Sequence, residues 1–230
     1  MRVGTLMTDY RLTRSKRKTV AIYVRDGYVD VRAPLQMARQ DIDRFVESKQ
    51  KWINEKLAVA VARMENRKSF SLSYGDQVYY RGRKYPIVEK PGDRIGFDDA
   101  GFYMPPGLTP GQIKHSCIRI YRLLAKRDLI GITLKYAKEM SLFPAAIKIN
   151  SAKTRWGSCS TQGSINYSWR LIIAQDDVIE YIVVHELAHM LEPNHSPRFW
   201  STVGEVLPDY EERQAKLRKL QHKLNNEDWD

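Results

Sequence analysis

The sequence predicts an α+β protein, and three observations carry that reading. Alternating apolar and polar runs punctuated by Gly and Pro crowd the first 105 residues, as strands and turns require. Two long stretches, from Arg39 and from Pro110, place apolar residues near helical spacing. A shorter stretch near residues 178–191 is apolar almost all round, which marks a buried helix. A length of 230 residues, 43% hydrophobic and 28% charged, suits one large globular domain or two small ones.

In chain order, "TVAIYVRDGYVDVRAP" reads as two strands turning at Asp26-Gly27. One helix is expected from Arg39 to Met64, with Ile42, Phe45, Val46, Trp52, Ile53 and Leu57 near helical spacing. "YGDQVYYRGRKYPIVEK" returns to strand with turns at Gly75 and Gly82, and "RIGFDDAGFYMPPG" reads as a hairpin stopped by Pro105 and Pro106. A helix from Pro110 to Met140 follows, with Thr109 as its cap and Pro110 at its first position. "AAIKIN" is a strand, "TRWGSCSTQGS" a loop, and "INYSWRLIIA" another strand. Asp176 or Asp177 caps the apolar helix, Pro193 ends or interrupts it, and a last helix spans Tyr210 to Leu224. Gly and Pro cluster at residues 91–107, so the chain divides into 1–105, strand-rich with one long helix, and 106–230.

Composition excludes some classes. No apolar run approaches the roughly 18 residues of a membrane span, and no signal-peptide core precedes the first charges, so a cytoplasmic protein is expected. Two cysteines, Cys117 and Cys159, are too few for a secreted disulfide scaffold. The net charge is +11, and "RLTRSKRK", expected to lie before the first strand, holds five bases and no acid. Such a balance attracts nucleotides, acidic peptides or nucleic acid, or simply keeps the surface solvated.

The chemistry concentrates in "VVHELAHMLEPNHSPRFW", which carries three of the five histidines. His185 and His189 are four apart, so a helix puts both on one face, where two imidazoles reach one ion. Glu186 follows the first histidine and projects to the side of that face, where it can hold a water as general base without binding the metal. Chance produces this arrangement in on the order of 1 in 200 chains of this composition. Two core histidines bonded to backbone would be the alternative, but a buried apolar helix tolerates two His and a Glu poorly without such a task. A third ligand is needed. His195 is the first candidate, because Pro193 and Asn194 can turn the chain back; Glu192 and Glu205 are the others.

Together "RWGSCS", "INYSWRL", "YIVVHELAHM" and "NHSPRFW" resemble the YgjP-type metal-dependent hydrolases, relatives of the SprT-like zinc metallopeptidases. The resemblance is close over residues 150–200 and looser at the N-terminal hairpin and the helix holding Trp52. It implies a zincin-like catalytic half with the active-site helix packed on a small sheet, a bound Zn2+, ligands His185, His189 and His195, and Glu186 as base. Ser168 stands in "NYSWRL" where the resemblance leads one to expect an amide.

The flanks supply further candidates. The strand before the metal helix is expected either to offer an edge for a peptide substrate or to be an ordinary core strand. Arg155 and Arg170 are candidates for binding an anionic group or a developing oxyanion, with support of the scaffold through carboxylate pairs as the alternative. Cys159 is expected to be a small buried residue, with metal contact as the alternative, and Phe199 and Trp200 are expected to anchor the loop carrying His195. The expected function is a zinc metallopeptidase acting on a peptide or protein. The alternatives are a nucleoside triphosphate or phosphoanhydride hydrolase, although no Gly-rich phosphate loop is present, and a non-catalytic zinc module binding nucleic acid.

Overall fold

The structure, a computed structural model, describes residues 9–25 and 27–229. They form two compact units: one reaches Phe70 and takes in Asn225–Asp228, and the other holds Ser71–Leu224 with Trp229. The division expected at 105/106 therefore falls inside the second unit. The Gly- and Pro-rich stretch there is a hairpin and its exit, and its strands pack on the following helix through Phe102 and Tyr121, whose ring centroids are 5.0 Å apart.

In the first unit, β1 (Arg11–Ser15) pairs in parallel with β3 (Tyr28–Pro34), and β2 (Ala21–Arg25) pairs with β3 antiparallel. The β2–β3 hairpin is the one read from the sequence; Gly27 has φ 81°, and Asp26 lies outside the described residues. The basic run expected to precede the first strand is thus largely strand itself. Val29, Val31 and Ala33 alternate inward and pack with Ile42, Val46 and Ile53. The single helix expected from Arg39 is two, α1 (Arg39–Ser48) and α2 (Gln50–Ser69), separated at Lys49 with φ −108° and ψ 8°.

The second unit opens with β4 (Gln77–Tyr80), β5 (Arg83–Glu89), β6 (Gly96–Asp98) and β7 (Gly101–Met104), in the order β4-β5-β7-β6. Arg81 and Gly82, at φ 49° and 75°, make the tight β4–β5 turn. The helix α3 (Pro110–Glu139) starts as read: the Thr109 hydroxyl accepts from the Gln112 backbone N–H, and the Gln112 side chain accepts from the Thr109 N–H. Three strands follow, β8 (Ala146–Asn150), β9 (Gly157–Cys159) and β10 (Ser164–Ser168), in the order β8-β10-β9.

Two expectations fail in this segment. "TRWGSCSTQGS" contains the strand β9, and "INYSWRLIIA" is strand only to Ser168, after which Trp169–Ile173 form a 3-10 turn. The Ser168 hydroxyl makes the change of course: it donates to the Ala152 carbonyl at 2.7 Å and accepts from the Arg170 N–H. Next come α4 (Asp176–Ala188), α5 (Pro197–Val206) and α6 (Tyr210–Leu224). Gln175, rather than either aspartate, takes the cap position of α4; Asp176 and Asp177 lie in its first turn, where carboxylates favour the helix dipole. No described helix is long and apolar enough to cross a membrane.

Candidate active site on helix α4

Helix α4 is buried along nearly its whole length, with Val183, Val184, Leu187 and Ala188 fully inaccessible to solvent. That burial fixes the helix and hence the direction of His185 and Glu186. The helix ends at Ala188, well before Pro193, and His189 is its C-cap. The Leu191 and Glu192 N–H groups still bond to the Ala188 carbonyl, so the chain curls under the helix end. Ser196 then caps α5, accepting from the Phe199 N–H at 3.3 Å, with Pro197 at the first helical position. His195 stands immediately before that cap and returns to the other two histidines.

The three imidazoles offer one ring nitrogen each, all within 4.8 Å of one another. Nε2 of His185 and Nε2 of His195 are 3.1 Å apart. The buried Phe199 ring lies against all three, with centroids 4.9, 4.6 and 4.8 Å from His185, His189 and His195. Trp200 stacks on His195 and, on its own account, on Tyr210. Of the two residues expected as core anchors of this loop, Phe199 is buried and Trp200 is half-buried, and both rings contact His195.

Protonation follows from these contacts. Nδ1 of His189 lies 3.1 Å from the Glu192 carbonyl. A carbonyl can only accept, so Nδ1 carries the hydrogen and Nε2 keeps its lone pair. Burial, and then the charges His189 and His195 would carry, push His185 down to about 3. Burial also lowers His189. Imidazole nitrogens that converge in this way are the donor set a divalent cation takes. Nδ1 of His185 is buried without a hydrogen-bond partner among the described residues.

Glu186 is 5% exposed, and burial pushes its carboxyl up to about 7 against the opposing pull of Arg155. It faces an open cavity of about 490 Å³ lined by the three histidines, Arg155, Pro193 and the segment Gly157–Thr161. On the far side, β9 approaches so closely that a Cβ at Gly157 would lie 2.5 Å from Oε1 of Glu186. Sequence reasoning missed this glycine and the strand that carries it.

Other candidates fall differently. Arg155 is exposed and lines the cavity. Arg170 does not: it is 9% exposed, donates to the Ser151 and Trp229 carbonyls at 3.0 and 3.3 Å, and lies over the Trp169 ring, so the substrate role expected of it is corrected to one in the scaffold. The edge strand is also reassigned. β10 is central and paired on both sides, and the edge beside the cavity is β9. Cys159 is half-buried at the cavity wall rather than buried, and its Sγ donates to the Ser160 carbonyl. Glu192 pairs with Arg198 at 2.9 Å and Glu205 accepts from Ser201, so neither joins the histidines.

The family described as YgjP-like, metallopeptidase domain, matches residues 18–220. Among solved structures, the metallopeptidase zymogen abylysin of Pyrococcus abyssi is similar at 21% identity and a TM-score of 0.38, over 43% of this chain and 97% of that one. No curated protein matches.

Proposed function

The chain belongs to the YgjP-like family of metallopeptidase domains, and on that premise we propose that it is a zinc-dependent peptidase with His185, His189 and His195 as ligands and Glu186 as general base. The observation that carries the proposal is the convergence of three imidazoles beside a buried carboxyl at an open cavity. The 3.1 Å between the His185 and His195 nitrogens is compatible with zinc, whose tetrahedral ligand atoms lie roughly 3.3 Å apart. Zinc bound there supplies Lewis acidity, which polarises a carbonyl and acidifies water toward a pKa of about 7.

The residues of the chain do the rest. Glu186, raised toward neutrality by burial, takes a proton from the attacking water and delivers it to the leaving amine. The free edge of β9 accepts an extended peptide by main-chain pairing, which brings a scissile bond across the cavity. Arg155, at the cavity wall, orients a substrate carbonyl or carboxylate. A triphosphate fits this cavity less well, since Arg155 is the one arginine or lysine among its lining residues. A purely structural zinc leaves the buried Glu186 without a task.

The test pairs metal content with turnover of an unfolded protein on the same samples. Glu186→Gln should keep its zinc and lose about two orders of magnitude or more in kcat. His195→Ala should lose zinc and Glu205→Ala should not. A glutamine variant as active as the wild type would remove Glu186 as the base, and full zinc in His195→Ala would remove the third ligand.

A further inference from the structure

A second depression lies on the other edge of the sheet that carries β9. It is a groove of about 660 Å³ between α3 and β8, lined by Arg119, Arg122, Leu123, Lys126, Ile147, Lys148 and Ile149. The sheet order β8-β10-β9 puts it two strands, roughly 10 Å, from the edge at the cavity, and the two depressions share no lining residue. Successive residues of β8 point to opposite faces, yet Ile147, Lys148 and Ile149 all line the groove, so it runs along the strand's edge. Among the described residues β8 pairs on one side alone, with β10.

The walls have one sign. Arg119, Arg122 and Lys126, on one side of α3, join Lys148 as four cations with no acidic residue among the lining. All four are exposed, and no ion pair to them occurs among the described residues. The floor is apolar, and Leu123 is 64% exposed within it. An open strand edge, an apolar floor and a cationic rim complement one kind of ligand: an extended polypeptide with acidic side chains alternating with apolar ones. A nucleic acid would match the charge but not the rest, because no aromatic ring lines the groove for a base to stack on.

We propose that this groove docks an acidic, extended segment of a partner polypeptide, which adds to the free edge of β8 and sets its carboxylates against Arg119, Arg122, Lys126 and Lys148. The proposal does not depend on the peptidase reading, and its test reads binding without turnover.

The probe is a fluorescein-labelled peptide in which glutamate alternates with valine, followed by anisotropy on the full-length chain. Binding should weaken with added salt. It should fall roughly tenfold or more when Arg119, Arg122 and Lys126 are changed together to Gln. The exposed positions tolerate that change, and circular dichroism checks the fold. The same peptide N-methylated at every residue keeps its charge and loses its main-chain donors, so it should bind at least tenfold more weakly. Equal binding of the methylated peptide overturns strand addition. Unchanged affinity of the triple variant overturns the groove, and tighter binding of a single-stranded oligonucleotide overturns the choice of ligand.

Discussion

Gly157→Ala isolates how closely β9 clamps the base. A Cβ at this position would sit 2.5, 2.6 and 2.7 Å from Oε1, Cγ and Cδ of Glu186, about 0.9 Å short of the ordinary contact that begins at 3.4 Å. One side must yield. β9 is held by its pairing with β10, and Glu186 is fixed on a buried helix, so the flexible end of the glutamate moves. Overpacking of this kind costs about 1–3 kcal/mol of stability. A catalytic group misplaced by about 1 Å costs on the order of 100-fold in rate.

The alanine variant should therefore fold with a modestly lowered Tm, keep its zinc, and lose about two orders of magnitude in kcat on an unfolded protein substrate. A cycle with Glu186→Asp sharpens the test. The aspartate is one methylene shorter and withdraws from the added methyl, so Gly157→Ala should cost the aspartate enzyme less than roughly tenfold. Wild-type turnover in Gly157→Ala would refute the clamp. Loss of zinc in step with activity would show instead that the glycine supports the histidines rather than the base.

Two other outcomes follow from packing. Phe199 is inaccessible to solvent and touches all three imidazoles, so Phe199→Ala should lose about 3–5 kcal/mol of stability and weaken zinc binding, measured by thermal melts and competition with a chelator; wild-type zinc affinity would deny it a platform role. Burial pushes the Cys117 thiol up to about 12; burial and the Glu186 charge raise Cys159 as well, but it is half-buried at the cavity wall, where a reagent reaches it. A thiol reagent at mildly alkaline pH should modify Cys159 in the native chain and both cysteines only in denaturant, read by mass spectrometry of the peptides, and native modification of Cys117 would contradict its burial.

The long periodic elements were legible because burial repeats along them. α3 announces itself by its cap, its proline and many turns of apolar spacing, and α4 by an apolar surround that made His185, Glu186 and the C-cap His189 conspicuous. The misreadings occur where a single residue outweighs the pattern. One unfavourable backbone geometry at Lys49 divides a helix whose apolar spacing continues past it. One hydroxyl, Ser168, turns an apolar run from strand into a 3-10 turn. β9 is three residues of small side chains, too short for alternation to register, and its partner defines it from outside. Arg170 could not be separated from Arg155 by type, because only the fold shows which guanidinium the Ser151 and Trp229 carbonyls hold.

The early end of α4 ties these local events to the chemistry. Had the helix run on to Pro193, the carbonyl of Glu192 would have pointed along its axis, and His189 would have had no acceptor beside its ring. Because the helix stops at Ala188, the chain curls back within four residues and sets that carbonyl 3.1 Å from Nδ1 of His189. The bond selects one tautomer and turns Nε2 toward His185 and His195. The same curl shortens the path to Ser196, whose cap on α5 holds His195 at the mouth and brings Phe199 beneath all three rings. The proline is thus one part of a longer turn that begins at the second histidine, and the spacing of six residues between His189 and His195 is the length of chain this turn requires.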